Sequence, residues 1–305
     1  MTDTVYDFII LGAGPAGLTA AIYAARYRLK TIVIGPDIGG TVTSAHDIEN
    51  WPGMKGGGMK IMDKFVEHVR SFDVPIITEH AKRIEKDDNH FLVHTEKDTY
   101  KGLTVLLAMG TKRRKLDLPG EEKFSGKGVS HCATCDAMFF KDKDVAVVGG
   151  SDAAAMAAQV LSQHAKKVTI IYRKDALRAE PARIKELEND PKIDFIFNTT
   201  ITEIKGDTSL TGIKLDNGND LAIQGLFIEI GGVPITMMAK DLGIGLSESN
   251  RIKVGADMST NVEGVFAAGD ITTGSNEFNQ IVTAASEGAI AALSAFKLSR
   301  KMKNG

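Results

Sequence analysis

The sequence predicts an α/β protein that contains the same strand–turn–helix–strand unit twice. Residues 8–11 form a short apolar run typical of a buried strand, and a glycine-rich turn at 12–17 leads into an alanine-rich helical stretch. Residues 145–148 repeat the apolar run, and the turn at 149–154 again leads into an alanine-rich stretch. The two copies align without a gap as far as their second strands. Two Rossmann-like α/β domains are therefore expected.

The remaining elements follow in the same order in both halves. Apolar runs predict first-half strands at residues 31–34, 91–94 and 104–107, the last ending near Gly110. In the second half they predict strands at 168–171, 211–215, 221–223 and 226–230, with Asn217-Gly218 as a hairpin turn. A final strand at 264–267 ends at Gly269-Asp270. An apolar helix at 281–298 and a fraying polar tail at 299–305 complete the prediction.

Composition limits the classes of function. The 305 residues suggest two domains, and 43% hydrophobic with 25% charged residues is ordinary for a soluble globular protein. A net charge of −2 leaves no basic excess to neutralise nucleic-acid phosphates. Acids precede a short apolar run at the N-terminus, unlike a signal peptide, and no stretch approaches the roughly 18 apolar residues of a membrane helix. We expect a cytoplasmic protein with neither nucleic acid nor membrane as a partner.

The first glycine turn has the spacing of a dinucleotide-binding turn. Its residues are Gly12, Gly14, Pro15, Ala16 and Gly17. Such a turn between strand and helix lets the backbone approach a pyrophosphate, which the helix N-terminus then binds. Asp37 follows the second strand, where an acid can accept a hydrogen bond from a ribose 2′-hydroxyl. The alternative is a tight turn without a ligand.

The second turn departs from this spacing and points to a different nucleotide. Gly149 is retained, while Ser151 and Ala154 replace the second and third glycines. Cations follow its second strand, namely Arg173, Lys174 and Arg178. They suit a ribose 2′-phosphate, which arginine can bind through two hydrogen bonds. The alternative is a solvated basic patch.

The two cysteines form a redox motif. Cys132 and Cys135 stand in a C-x-x-C that can cycle between dithiol and disulfide, and a helix starting there, with 137–140 as its turn, would favour a thiolate. Asp136 can move a proton to or from a leaving thiolate. Half of a zinc site is the alternative, but there is no second cysteine pair and His131 is badly placed, so we predict no metal.

With these motifs the chain resembles low-molecular-weight thioredoxin reductase over nearly its whole length. The resemblance is carried by the first glycine turn, by Cys132-Ala-Thr-Cys135-Asp136, and by the segments 49–53, 172–178 and 264–270. It implies a homodimer whose FAD domain comprises residues 1–114 and 245–305. An NADPH domain at 115–244, carrying the cysteines, is inserted between them. The implied reaction passes electrons from NADPH through FAD and the disulfide to thioredoxin or a similar small dithiol protein.

The resemblance also implies roles for particular residues. Cys135 would face the flavin, and Cys132 would attack the partner disulfide. Asp270 would bind the flavin ribityl or pyrophosphate region, and the backbone of Gln280 would lie near the flavin ring. Further flavin contacts are expected from Gly40, Thr41, Asn50, Gly110 and Gly269.

Several positions depart from the family pattern and leave the electron donor open. Thr41 stands where glutamine is usual, and Met109 where threonine is usual. The other departures fall in the nicotinamide site, at Ser151, Met156, Ala157, Tyr172 and Lys174. Three alternatives remain: another dithiol partner, a donor such as NADH or ferredoxin, and a flavin redox sensor that is not an enzyme. Both cysteines and Asp136 are retained, which argues against a sensor.

Overall fold

The computed structural model describes residues 4–45 and 48–304, which form two compact units. One unit combines the chain up to Lys112 with the chain from Pro234 onward, and the other comprises Arg113–Val233. The second boundary lies earlier than the predicted 244/245, because Met238, Ala239 and Ile244 are buried in the core of the first unit. The first boundary lies at 112/113, close to the predicted 114/115.

The first unit holds a seven-stranded sheet. Its elements before the crossing are β1 Val5–Leu11, α1 Pro15–Arg26, β2 Thr31–Ile34, α2 Gly58–Arg70, β3 Ile76–Ile77, β4 Arg83–Asp87, β5 His90–His94 and β6 Thr99–Leu107. The chain crosses at β7 Thr111–Arg113 and returns at β16 Gly232–Pro234, and these two strands pair with each other. After the return come α6 Met237–Asp241, β17 Val265–Ala267 and α7 Ile281–Asn304.

The strands of this sheet run in the order β3-β2-β1-β6-β5-β4, with β17 also paired to β6. Pairing is parallel from β3 to β6 and with β17, and antiparallel between β4, β5 and β6. Residues of β1 alternate between two cores, Phe8 and Ile10 in one and Ile9 and Leu11 in the other. Both faces are thus covered, as a parallel sheet requires.

Helix α7 is longer than predicted and packs against α1. The expected fraying at 299–305 is wrong for the residues described there, because Ser299 is 1% exposed and the Lys303 amine lies 2.5 Å from the buried Asp7 carboxylate. By length and composition α7 is apolar enough to cross a membrane, contrary to the sequence analysis. Its alanine-rich face is buried in the core with α1, at Ala284, Ala291, Ala292 and Ala295.

The second unit contains a five-stranded parallel sheet. The chain between β11 and β15 forms a separate antiparallel sheet of three strands. Its elements are β8 Val129–Ser130, α3 Ala133–Asp136, β9 Asp144–Val148, α4 Asp152–Ser162, β10 Lys167–Ile171, α5 Pro181–Asn189, β11 Ile193–Ile196, β12 Ile201–Gly206, β13 Leu210–Leu215, β14 Asp220–Ala222 and β15 Gly225–Ile228. The parallel strands lie in the order β11-β10-β9-β15-β8, so the strand order reverses beside β9. In open α/β sheets ligands bind at such a switch point.

Candidate active site and dinucleotide sites

The first glycine turn combines close packing with one open face. A side chain at Gly12, whose φ is +115°, would place its Cβ 2.2 Å from the Ala108 carbonyl oxygen, and one at Gly17 would lie 1.9 Å from the Gly12 carbonyl oxygen. The Cβ position of Gly14 meets only the Gly40 Cα, at 4.0 Å. Helix α1 begins at Pro15 with Gly14 as an N-cap that supplies no side-chain hydrogen bond. The open face and the uncapped N-terminus together suit a phosphate.

The loop after β2 closes over this turn. The Gly39 N–H donates to the Ala13 carbonyl at 2.8 Å, and a Cβ at Gly40 would lie 3.2 Å from the Gly14 Cα. Asp37 lies in this loop with an exposed side chain, and Thr41 lies in the short 3₁₀ helix that follows. The structure therefore brings Asp37, Gly40 and Thr41 beside the first glycine turn.

The segment after β17 reaches the same helix end. A Cβ at Gly269, whose φ is +82°, would lie 3.1 Å from the Ala16 Cβ. Burial raises the pKa of Asp270; the Arg251 guanidinium opposes this change and the Glu287 carboxylate adds to it. Arg251 also donates a hydrogen bond to the Asp270 carbonyl. Asp270 is thus an acid held next to the first glycine turn.

Glu287 of helix α7 supports this segment and was not among the site residues predicted from the sequence. It is 4% exposed, and its Oε2 accepts hydrogen bonds from the Gly269 N–H at 2.7 Å and the Thr272 hydroxyl at 3.1 Å. A Cβ at Gly274 would lie 2.5 Å from Glu287 Oε1. A lone acid within the small apolar residues of a buried helix was the signal that could have identified it.

Two residues predicted to flank the flavin contact each other directly. The Asn50 side-chain amide donates to Gln280 Oε1 at 2.9 Å. The Gln280 N–H donates within its own turn, to Phe278 O at 3.0 Å and Thr283 Oγ1 at 3.2 Å. The Gln280 side chain, rather than its N–H, is thus the group that meets Asn50. Gly110 has a φ of +65°, and its carbonyl accepts from Ile235 N–H.

The second glycine turn follows β9 with a similar construction. A Cβ at Gly149, whose φ is +148°, would lie 2.1 Å from the Glu229 carbonyl oxygen and 3.0 Å from the Ala154 Cβ. Helix α4 begins at Asp152, and Ser151 is its N-cap residue without a side-chain capping bond. The first turn of α4, which follows β9 at the switch point, therefore receives no capping bond from the Ser151 side chain.

Tyr172 occupies the space next to Gly150. A Cβ at Gly150 would lie 2.4 to 2.5 Å from three atoms of the Tyr172 ring. The tyrosine is 6% exposed, and its hydroxyl has no hydrogen-bond partner among the residues that the structure describes. The Gly150 carbonyl accepts from the Arg178 N–H at 2.6 Å, which holds the loop after β10 against the turn. The side chains of Arg173, Lys174 and Arg178 are all exposed in this loop.

The redox centre lies at the start of α3. Cys132 and Cys135 form a disulfide with a Cα–Cα distance of 5.3 Å. Cys132 is the N-cap of α3, and its Sγ accepts a hydrogen bond from the Cys135 N–H at 3.2 Å. A helix therefore starts at the C-x-x-C, as expected, and residues 137–140 form a 3₁₀ turn directly after it. A sulfur at a helix N-terminus is well placed to carry negative charge.

The second unit also holds partly buried ionisable groups with shifted pKa values. Burial lowers the pKa of His131, an effect that Glu121 opposes and Arg113 reinforces, and the His131 Nε2 lies 3.7 Å from the buried Glu121 carboxylate. Glu229 follows β15 at the switch point, and burial raises its pKa to about 7 against the influence of Arg113. Across residues 4–45 and 48–304, no three His, Cys, Asp or Glu side chains converge as metal ligands would.

Comparisons with known proteins agree with this arrangement. The family model for pyridine nucleotide-disulphide oxidoreductases matches residues 6–288. A thioredoxin reductase from Peptoclostridium acidaminophilum is 39% identical, over 97% of each chain. A thioredoxin reductase from Lactococcus lactis superposes with a TM-score of 0.93 at 35% identity, over 97% of this chain and 99% of that one. A ferredoxin-flavin thioredoxin reductase from Clostridium acetobutylicum superposes with a TM-score of 0.56 at 30% identity, over 99% of this chain and 100% of that one.

The resemblance to low-molecular-weight thioredoxin reductases and the α/β fold class are thereby confirmed. The match runs through both glycine turns and the cysteine pair. Members of such a family use a flavin and a pyridine nucleotide with a disulfide. This chain belongs to the pyridine nucleotide-disulphide oxidoreductase family.

Proposed function

We propose that the chain is a thioredoxin reductase, an enzyme that passes electrons from NADPH through FAD to its own disulfide and then to thioredoxin disulfide. The observation that carries the proposal is the Cys132–Cys135 disulfide at the N-terminus of α3, in a unit with its own glycine turn. The relatives from Peptoclostridium acidaminophilum and Lactococcus lactis are named thioredoxin reductases. A small dithiol protein of the thioredoxin type is the proposed partner.

FAD fits the first unit. The open face of Gly14 and the uncapped α1 would receive the pyrophosphate, and the exposed Asp37 would accept from the adenosine ribose. Asp270, Thr41 and the Asn50–Gln280 pair would border the rest of the cofactor. When bound, FAD supplies the chemistry of taking up a hydride and passing on two electrons. The first unit is therefore proposed as the FAD domain.

NADPH fits the second unit. The uncapped N-terminus of α4 at the switch point would receive its pyrophosphate. Arg173, Lys174 and Arg178 have exposed side chains, and no ion pair is recorded for them in the described part of the chain. Cations in this position favour a ribose 2′-phosphate over a hydroxyl. The second unit is therefore proposed as the NADPH domain.

The residues of the redox centre can carry out disulfide exchange with balanced protons. The Cys132 thiolate attacks the partner disulfide, a Cys132–partner bond forms, and the leaving partner sulfur takes a proton from Asp136. The Cys135 thiol then returns a proton to Asp136 as its sulfur attacks Cys132. The partner leaves with its second sulfur as a thiolate, and the enzyme regains its disulfide.

A different electron donor is the second candidate. The Tyr172 ring packs on Gly150, and Ser151 stands at the position of the usual second glycine, so the second turn departs from the three-glycine pattern. The similar chain from Clostridium acetobutylicum is named a ferredoxin-flavin thioredoxin reductase. If the second unit does not take a pyridine nucleotide, a protein donor of the ferredoxin type would reduce the flavin instead.

We further propose that the enzyme is a cytoplasmic homodimer. This assignment is supported by the family of the chain, and light scattering of the purified protein measures the oligomeric state directly. A mass of one chain, near the 32.8 kDa of the sequence, would contradict the dimer.

Steady-state reduction of thioredoxin tests the function and the donor together. Purified protein loaded with FAD is assayed with NADPH, NADH and reduced ferredoxin, each with thioredoxin disulfide. Two charge-assisted contacts to the 2′-phosphate predict an NADPH preference of about hundredfold that Arg173→Ala reduces. Lys166→Ala, an exposed change in the same unit, is the control. Activity with ferredoxin alone would establish the second candidate, and no disulfide reduction with any donor would refute the enzyme.

A further inference from the structure

The hydrogen bonds around Asp136 point to one residue that has no role in the mechanism above. Ser130 ends strand β8, pairs in register with Phe227 of β15, and is 6% exposed. Its hydroxyl lies 2.6 Å from Asp136 Oδ2 and 3.4 Å from the Cys132 carbonyl. The Cys132 N–H donates to the same hydroxyl oxygen at 3.0 Å. Ser130 therefore joins the acid to the backbone of the nucleophilic cysteine.

A serine hydroxyl has one proton to donate, and the distances decide where it goes. The contact to Asp136 Oδ2 is short and charge-assisted when the carboxylate is ionised, whereas the contact to the Cys132 carbonyl is long. The hydroxyl therefore donates to Asp136 and accepts from Cys132. This leaves Oδ1 as the other carboxyl oxygen, and among the described residues no hydrogen bond is recorded for it.

We propose that Ser130 is a positioning residue that holds Oδ2 of Asp136, so that Oδ1 carries the proton exchanged with the cysteine and partner sulfurs. Helix α3 has a single turn, from Ala133 to Asp136, and its own hydrogen bonds do little to fix the last side chain. The anchor comes instead from the buried end of β8, which belongs to the parallel sheet. The inference rests on the proposed disulfide chemistry and adds the residue that orients its acid.

The test is a double-mutant cycle on single-turnover disulfide exchange. FAD-loaded wild type, Ser130→Ala, Asp136→Asn and the double variant are reduced with dithiothreitol and freed of it. Each reduced protein is mixed with thioredoxin disulfide and, in a second arm of the experiment, with the small-molecule substrate hydroxyethyl disulfide. Quenched samples are alkylated, and mass spectrometry gives the rate at which the Cys132–Cys135 disulfide returns. Ser130→Thr keeps the hydroxyl and is the rescue variant, and Asp142→Asn is an exposed control for the acid change.

If Ser130 acts through Asp136, Ser130→Ala slows exchange about tenfold in the wild-type background and leaves the Asp136→Asn rate within about twofold. Ser130→Thr then restores the rate. An equal slowing in both backgrounds, or no slowing in either, would overturn the proposal. Thermal unfolding of each variant shows whether Ser130→Ala is folded, and Ser130→Thr provides the comparison if it is not.

The two arms separate this inference from the proposed function. If wild type does not react with thioredoxin disulfide, but the effects of Ser130→Ala and Asp136→Asn on the reaction with hydroxyethyl disulfide are non-additive, thioredoxin is not the partner and the positioning role still holds. If wild type reduces thioredoxin disulfide but the effects of the two substitutions are additive, the positioning role is contradicted and the proposed function still holds.

Discussion

The Glu287 carboxylate accepts a hydrogen bond from the Gly269 N–H at 2.7 Å, although α7 and the end of β17 are separate elements. The Thr272 hydroxyl donates to the same oxygen at 3.1 Å. This buried acid ties the segment that carries Asp270 to the helix that follows Gln280, so one side chain supports two parts of the proposed flavin site.

We expect Glu287→Ala to weaken FAD binding about tenfold or more, because the Gly269 N–H and the Thr272 hydroxyl lose a buried acceptor worth about 1–3 kcal/mol. Glu287→Gln keeps an acceptor and should lose less. Flavin fluorescence on titration with FAD measures the affinity. Glu263→Gln, an exposed change, is the control, and an affinity that is unchanged in Glu287→Ala would contradict the supporting role.

Tyr172 should be replaceable by phenylalanine with a gain in stability. Its buried hydroxyl has no hydrogen-bond partner in the described part of the chain. Removing the hydroxyl therefore removes the desolvation cost of a polar group without breaking a hydrogen bond. We expect Tyr172→Phe to raise the free energy of unfolding of the nucleotide-free protein by about 1 kcal/mol. Urea unfolding checks this. If the variant is instead less stable, the hydroxyl has a partner and the packing on Gly150 depends on it.

Glu229 should make stability fall as pH rises. Its pKa is about 7 in the folded protein against an ordinary value of 4.5, so between these values the folded state keeps a proton that the unfolded state has lost. The stabilisation is complete below pH 4.5 and is lost as pH rises through 7. Glu229→Gln should be more stable than wild type by about 1 kcal/mol or less near pH 5, and by up to about 3 kcal/mol at pH 8.

Urea unfolding of wild type and Glu229→Gln at pH 5 and pH 8 measures this difference. Glu203→Gln, an exposed glutamate of the same unit, should change neither value. An advantage of Glu229→Gln that is the same at both pH values would mean that packing, and not the charge of the carboxylate, is responsible.

The division of labour between the cysteines is open to a trapping experiment. Cys132 Sγ accepts a hydrogen bond from the Cys135 N–H at the start of α3, and this contact favours a thiolate at Cys132. Cys135 is the more exposed of the two residues. With thioredoxin disulfide, we expect Cys135→Ser to accumulate a mixed disulfide through Cys132, and Cys132→Ser to accumulate none. Non-reducing electrophoresis and mass spectrometry identify the trapped species, and trapping by Cys132→Ser alone would reverse the roles.

Local pattern was sufficient for the repeated unit. Apolar runs followed by glycine turns predicted β2, β9 and β10 to within a residue, because buried parallel strands are nearly continuous apolar segments. The end of β1 at Leu11 was also predicted, but the strand begins at Val5, three residues before the apolar run. The tight contact of Gly17 with the Gly12 carbonyl is also a local consequence of a strand turning into a helix, whereas Gly12 packs against Ala108 of a distant segment. The C-x-x-C needed no tertiary information to be recognised as a redox pair.

Boundaries and supports were decided by tertiary structure. The second boundary moved because α6 buries Met238 and Ala239 in the first unit, and the C-terminal helix continues to Asn304 because its last turns pack and pair with Asp7. Hydrogen bonds such as the one from Asn50 to Gln280 join segments far apart in the chain, and the pattern of apolar residues along the sequence does not predict them.

The sequence by itself determined the two glycine turns, the cysteine pair and the family, since each depends on residues close together in the chain. Only the tertiary structure decided which buried polar groups serve those motifs: Glu287 below Gly269, Tyr172 against Gly150, and Ser130 beside Asp136. The physical reason is that a polar side chain is identified as a support by the partner that satisfies it when water is excluded. That partner is set by how the strands and helices pack.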